Sequence, residues 1–304
     1  MPSSTSSSDA RRALIALIAI LIVLSITFES ATAFGFSRIS RIARRIDTEY
    51  QEALRLRHAS APAAMLVAGN SLLLEAVDFP SFNQQVEGRF RATRFAVEQT
   101  QYLDWYFGLR RLFRSGSRPD IVVLTLNTHH LLASTTRGEY FAHFQMDERD
   151  IVRVAKAEKL DTTTASDYLF ANWSMWLGGK AEIRKIVLMK LLPNINRFTD
   201  RLPGPTPPLP PPQVVQAQAA PHLKALREAC AEYGASLIFV IPPTTDTTDP
   251  SAAVEAAGKQ AGVPVLVPYR GGEMPGALYR DGFHLNLEGA KLFTERLASG
   301  LRDR

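Results

Sequence analysis

Three short apolar runs constrain this chain more than any other feature: Ala63 to Ala68, Ile121 to Leu126 and Ser236 to Ile241. The second is β-branched and shows no polar alternation, so it reads as a strand buried on both faces, as in the middle of a parallel sheet. Weaker strand patterns lie at 94–98 and 263–267, and helical patterns at 101–114, 214–233, 251–261 and 287–301. Strands alternating with helices at this spacing predict an α/β/α sandwich around a parallel sheet. In such a sheet, ligands bind at the carboxyl ends of the strands.

Candidate chemistry falls on those ends. Gly69-Asn70-Ser71 follows the first strand, Asn127 ends the third, and Asp281-Gly282-Phe283-His284 follows the fifth. Serine becomes a useful nucleophile when an imidazole takes its proton. The imidazole in turn needs an acid to fix its tautomer and stabilise its charged form. Ser71, His284 and Asp281 meet those three needs. Taken singly, Gly-Asn-Ser and Asp-Gly are also ordinary turn or helix-cap sequences, and Asn127 is also a common strand-ending residue.

The arrangement resembles the SGNH, or GDSL-like, hydrolase family, in which a serine in a Gly-Asp-Ser turn works with a carboxy-terminal Asp-x-x-His. Ser71, Asp281 and His284 fall on those positions, and Leu285-Asn286-Leu287-Glu288-Gly289-Ala290 is similar to the family's closing helix. The resemblance spans roughly residues 63–300 and implies an SGNH-type three-layer fold. It also implies an oxyanion hole from the Ser71 amide and the Asn127 side chain. The chain departs from the family at Asn70, where Asp is usual, and at Phe95-Ala96-Val97-Glu98-Gln99-Thr100, where a glycine normally donates its amide to the oxyanion. Asn70, His129 and Trp173 are the further side chains expected beside the substrate.

The amino terminus adds an address. Arg11-Arg12 precedes an uninterrupted apolar run from Ala13 to Phe28, which reads as an export signal or a membrane anchor. Flanking arginines hold the amino terminus in the cytoplasm and place the rest outside; Arg38 to Arg45 pull against that orientation. Ala31-Thr32-Ala33 is a plausible cleavage site for a secreted form. The expected organisation is a tail with anchor or signal over 1–36, a juxtamembrane helix over 37–60 that carries the domain off the membrane, and a hydrolase domain over 61–304. Residues 131–212 would form an insertion or cap ending in the proline-dense stretch 203–212.

Composition narrows the partners. A chain of 304 residues with 46% hydrophobic residues holds one sizeable core, and its net charge of +5 is spread rather than gathered into a nucleic-acid footprint. One cysteine, Cys230, excludes an internal disulfide, and His129-His130 lacks the accompanying ligands of a metal site. No metal and no cofactor are expected. With the anchor and the run Trp105 to Arg111, the resemblance points to membrane-linked members serving cell-surface polymer acylation. The expected substrate is an acylated carbohydrate or other acyl ester in the periplasm, with an integral-membrane acyltransferase as possible partner. The competing expectation is a catalytically silent scaffold or carbohydrate-binding subunit of the same assembly.

Overall fold

The computed structural model describes residues 7–59, 61–192, 208–245 and 248–303. Its centre is an all-parallel sheet of β1 (Ala63–Gly69), β2 (Phe90–Ala96), β3 (Ile121–Thr125), β4 (Ser236–Val240) and β5 (Val265–Leu266), in the order β2-β1-β3-β4-β5. In chain order the helices are α1 (Ser7–Ile39), α2 (Arg41–Leu54), α3 (Ser71–Ala76), α4 (Phe79–Val86), α5 (Tyr102–Arg114), α6 (Thr128–Leu132), α7 (Glu139–Phe144), α8 (Ile151–Glu158), α9 (Thr162–Trp173), α10 (Met175–Leu191), α11 (Pro212–Ala231), α12 (Ser251–Ala261) and α13 (Leu287–Arg302).

Period-two alternation in β1 builds the two sides of the sandwich. Ala64, Leu66 and Ala68 join a core with α2, α5, α11 and α12, whereas Met65 and Val67 join a second core with α3, α4 and α13. The strand is therefore buried on both faces, and a Leu or Val fully buried this way contributes about 1.5–3 kcal/mol. This is the three-layer α/β/α sandwich with a parallel sheet that the family resemblance implies.

Boundaries differ from the sequence reading in instructive places. The second strand runs over Phe90–Ala96 rather than 94–98, because it is an edge strand whose Arg91 is exposed and whose position is set by pairing with β1. Two helices, α3 and α4, occupy a stretch with no clear helical pattern. They are defined by their caps: the side chains of Asn70 and Asp78 accept from Leu72 N and Ser81 N. Part of the proline-dense stretch, 203–207, lies outside the described residues.

The helix expected over 37–60 is not a free stalk. Ser40 breaks it from α1 and caps α2, which buries Ala43, Ile46, Glu49 and Ala53 against the sheet layer. Glu49 is the reason a charged helix can sit there. It pairs with Arg45 and Arg94 and accepts the Ala96 amide at 2.8 Å, which ties α2 to the carboxyl end of β2. In the 131–192 stretch, α7, α8 and α9 contribute Tyr140, Phe141, Val154, Tyr168 and Ala171 to the same core as α5.

Candidate active site

Register aligns three loops before any side chain is considered. Gly69 of β1 pairs with Ala96 of β2 and with Thr125 of β3, so all three strands end at one level. The order β2-β1-β3 also places the topological switch point between β1 and β3, where open parallel sheets bind ligands. Ser71, the 97–100 turn and Asn127 follow these strand ends directly. Gly69 is glycine for want of room, since a Cβ there would lie 2.7 Å from the Thr125 carbonyl oxygen and 2.9 Å from Leu73 Cβ.

Asn70 shapes the turn that presents Ser71. It is wholly buried, its Oδ1 accepts the Leu72 amide at 3.0 Å, and its Nδ2 donates to the Thr100 carbonyl and to His130 Nδ1, each at 2.9 Å. An aspartate could accept from Leu72 but could not donate to the other two. These contacts leave Asn70 no face for a substrate, contrary to the sequence expectation, and give it the task of holding the turn.

His130 is the partner that sequence reasoning missed. Burial, with the neighbouring charge of His129, pushes its pKa down to about 4, so its ring is neutral and Nδ1 can accept from Asn70. A histidine held below its usual pKa contributes stability above its unfolded value and loses it as pH falls toward the folded value. Acidification from pH 7 to 4 should therefore cost up to ~3 kcal/mol through this residue. His130→Gln should flatten that slope in urea titrations, and equal slopes for both proteins would contradict the assignment.

The third loop carries Asp281 and His284. Tyr279 and Leu285 form an antiparallel bridge, and Arg280 N donates to the His284 carbonyl at 2.8 Å, so His284 stands at the neck of a small loop whose tip is 281–283. Asn286 caps α13 and also donates from Nδ2 to the Ala277 carbonyl at 2.7 Å. Gly289 lets α13 approach this loop, since a Cβ there would lie 2.5 Å from the Leu278 oxygen. Within the loop, Asp281 Oδ1 accepts the His284 amide at 2.9 Å and Oδ2 lies 2.8 Å from His284 Nδ1. His284 Nε2 is 3.1 Å from Ser71 Oγ.

The three side chains thus form one continuous relay. With Nδ1–H donated to Asp281, Nε2 carries a lone pair and accepts from the Ser71 hydroxyl. Partial burial pushes the Asp281 carboxyl up, but hydrogen bonds from the His284 side chain and amide outweigh it and hold the group below the ordinary carboxylate range. Arg280 lies between Glu75, at 3.0 Å, and Asp281, at 3.5 Å.

Donors for a developing oxyanion lie on the same rim. Ser71 is the first residue of α3, so its amide has no acceptor within that helix. Asn127 Oδ1 caps α6 by accepting from His130 N at 2.9 Å, and among the described residues none accepts its Nδ2. In the stretch where the family places a glycine, Gln99 adopts φ 60°, a left-handed backbone that glycine ordinarily supplies. That turn is braced from beneath. Thr100 accepts from Asn70 and from Trp105 Nε1, while Arg45 and Arg137 hold Glu98. The buried carboxylate of Asp104 takes the amides of Gln101 and Arg137, and burial pushes its pKa up to about 7.

His129 follows Asn127 in α6 and so lies near this rim. Trp173 does not join it: it ends α9, two-thirds exposed, with its Nε1 donating to Glu148 at 2.7 Å. Among the described residues, no group of three or more His, Cys, Asp and Glu is placed to hold a metal ion.

No family model matches the chain, and no curated protein matches it. Among solved structures it is similar to TesA, at 12% identity and a TM-score of 0.39, over 79% of this chain and 98% of that one. It is also similar to the YxiM protein of Bacillus subtilis, at 10% identity and a TM-score of 0.41, over 82% of this chain and 57% of that one. At TM-scores below 0.5 these likenesses say nothing of the chemistry. That rests on the side-chain geometry.

Proposed function

We propose that the protein is a serine ester hydrolase or O-acyltransferase, with Ser71 as nucleophile, His284 as general base and acid, and Asp281 as the group that orients His284. The observation that carries this reading is the unbroken Ser71–His284–Asp281 relay, at 3.1 and 2.8 Å, assembled from loops 213 residues apart in sequence. Attack by Ser71 Oγ on an acyl carbon passes its proton to His284 Nε2 and forms a tetrahedral oxyanion. The Ser71 amide and Asn127 Nδ2 would receive that charge. Collapse transfers the proton to the leaving alkoxide and leaves an acyl-serine. Water then gives a hydrolase, and a sugar hydroxyl a transferase.

The pH–rate profile tests the relay. Asp281 is held below the ordinary carboxylate range, so it stays ionised over any neutral assay range. A histidine can take the serine proton only through a free lone pair, so protonation of the base stops attack. Hydrolysis of p-nitrophenyl acetate should rise between pH 5 and 8 and then level off. A flat profile over that interval would remove His284 as base.

Asn127 has two roles that substitutions can separate. Asn127→Asp keeps the acceptor that caps α6 but replaces the Nδ2 donor with a charged oxygen, so kcat should fall on the order of 100-fold while thermal stability stays near wild type. Unchanged kcat in the folded variant would strike Asn127 from the oxyanion hole.

The setting belongs to the same proposal. α1 contains a segment, Asp9–Phe36, long and apolar enough to cross a membrane, and none of its most apolar window is buried within the protein. We read it as a single-pass inner-membrane anchor that crosses over its uncharged run Ala13 to Phe28 and holds the hydrolase in the periplasm. The substrate class is then an acyl ester of cell-envelope carbohydrate, and an integral-membrane acyltransferase is a fitting partner.

A further inference from the structure

The junction between α9 and α10 is built against α1 where the apolar run of that helix ends. Glu29, the first charged residue after Ala13 to Phe28, turns inward and caps α10. It accepts the Ser174 hydroxyl at 2.8 Å, the Met175 amide, and the Trp176 amide at 3.5 Å. One residue earlier, Phe28 meets the Trp176 ring edge to face, with centroids 5.1 Å apart. These contacts fix the level of the junction along α1.

At that level the domain exposes aromatic rings. Phe170, Trp173 and Trp176 are 55%, 63% and 42% exposed, and Phe170 and Trp173 lie edge to face at 6.5 Å. Large apolar rings left uncovered cost free energy in water. Tryptophan beside the end of the uncharged run Ala13 to Phe28 is suited instead to the headgroup region, where its ring meets acyl chain and its N–H keeps a polar partner. Trp173 has that partner in Glu148, at 2.7 Å.

We propose that the α9–α10 junction is seated in the headgroup region of the bilayer that α1 enters, with Phe170, Trp173 and Trp176 in contact with lipid. The proposal rests on reading α1 as a membrane anchor and is independent of the triad's chemistry. It gives the domain a second point of attachment, which limits its rotation about α1 and fixes the height of the catalytic rim above the membrane.

The chain carries its own control for a test. It has three tryptophans, and Trp105 is wholly buried in the core. The full-length protein would be reconstituted in phosphatidylcholine–phosphatidylglycerol vesicles in which part of the lipid carries bromine high on its acyl chain. Bromolipid should quench roughly half of the total tryptophan emission, with Trp173 and Trp176 as the interfacial emitters. In W173F/W176F, a conservative change, the remaining Trp105 emission should be insensitive to bromolipid. Three results would overturn the proposal. If the protein floats with the vesicles but acrylamide in the water quenches these residues and bromolipid does not, the surface faces water. Shielding from both quenchers would mean that a protein partner or a second copy covers it. Failure of the chain to float with vesicles would remove the anchor reading, and this inference with it, while leaving ester hydrolysis to be judged separately.

Discussion

Ser71→Ala and His284→Ala are each expected to lower ester hydrolysis about 10⁴-fold or more, and the double variant is expected to fall little further. Triad members act as a unit, so removing either one already removes activated attack, and only oxyanion stabilisation and binding remain. Neither change should unfold the protein. Ser71 and His284 are partly exposed at the strand-end rim, and the turn around Ser71 is held by Asn70, Thr100 and His130 through contacts that do not use the Ser71 hydroxyl. The measurement is kcat/KM on a chromogenic acetate ester beside the urea midpoint. Independent, multiplicative losses in the double variant would contradict a shared mechanism.

Asp281→Asn is expected to cost on the order of 10³–10⁴-fold in kcat. An amide at that position can present its N–H to Nδ1, which would place the imidazole proton on Nε2 and leave no lone pair facing Ser71. Two features of this site set the size of the loss, the first reducing it and the second enforcing it. The Asp281 side chain is 39% exposed, against 14% for His284, so water can partly stand in for the carboxylate. Oδ1 also accepts the His284 amide, a contact that an asparagine oxygen can keep only if the amide is turned with its nitrogen toward Nδ1. Full activity in the folded Asp281→Asn protein would detach this residue from the relay.

How far the sequence foretold these positions follows from how each is specified. β1, β3 and β4 are written as apolar runs because both of their faces are covered, and a covered face leaves little choice of residue. β2 is an edge strand, so polar Arg91 and Arg94 interrupt it and only its pairing with β1 reveals where it starts. α3 and α4 are too short to show periodicity, and one capping side chain marks the start of each. The triad was legible because a nucleophile, a base and an acid must be particular residue types. The turn that holds Ser71 was not, because a polar residue in a tight turn looks the same whether it faces substrate, as Asn70 was expected to, or faces the core. His130 and Asp104 were hidden for a related reason: burial creates their roles, and burial comes from elements distant in sequence. Trp173 was expected beside the substrate, and its three-residue spacing from Trp176 does not reveal that both rings stay exposed at a helix junction.

The central claim is that Ser71 is an activated nucleophile, and covalent labelling tests it most directly. The folded full-length protein would be treated with a serine-directed fluorophosphonate and the adduct measured by intact-mass and peptide mass spectrometry. One label per chain, located on Ser71, faster at pH 8 than at pH 5 and abolished in His284→Ala, is the predicted result. A folded protein that takes no label, or takes it at another serine, would contradict the account and favour a catalytically silent binding subunit.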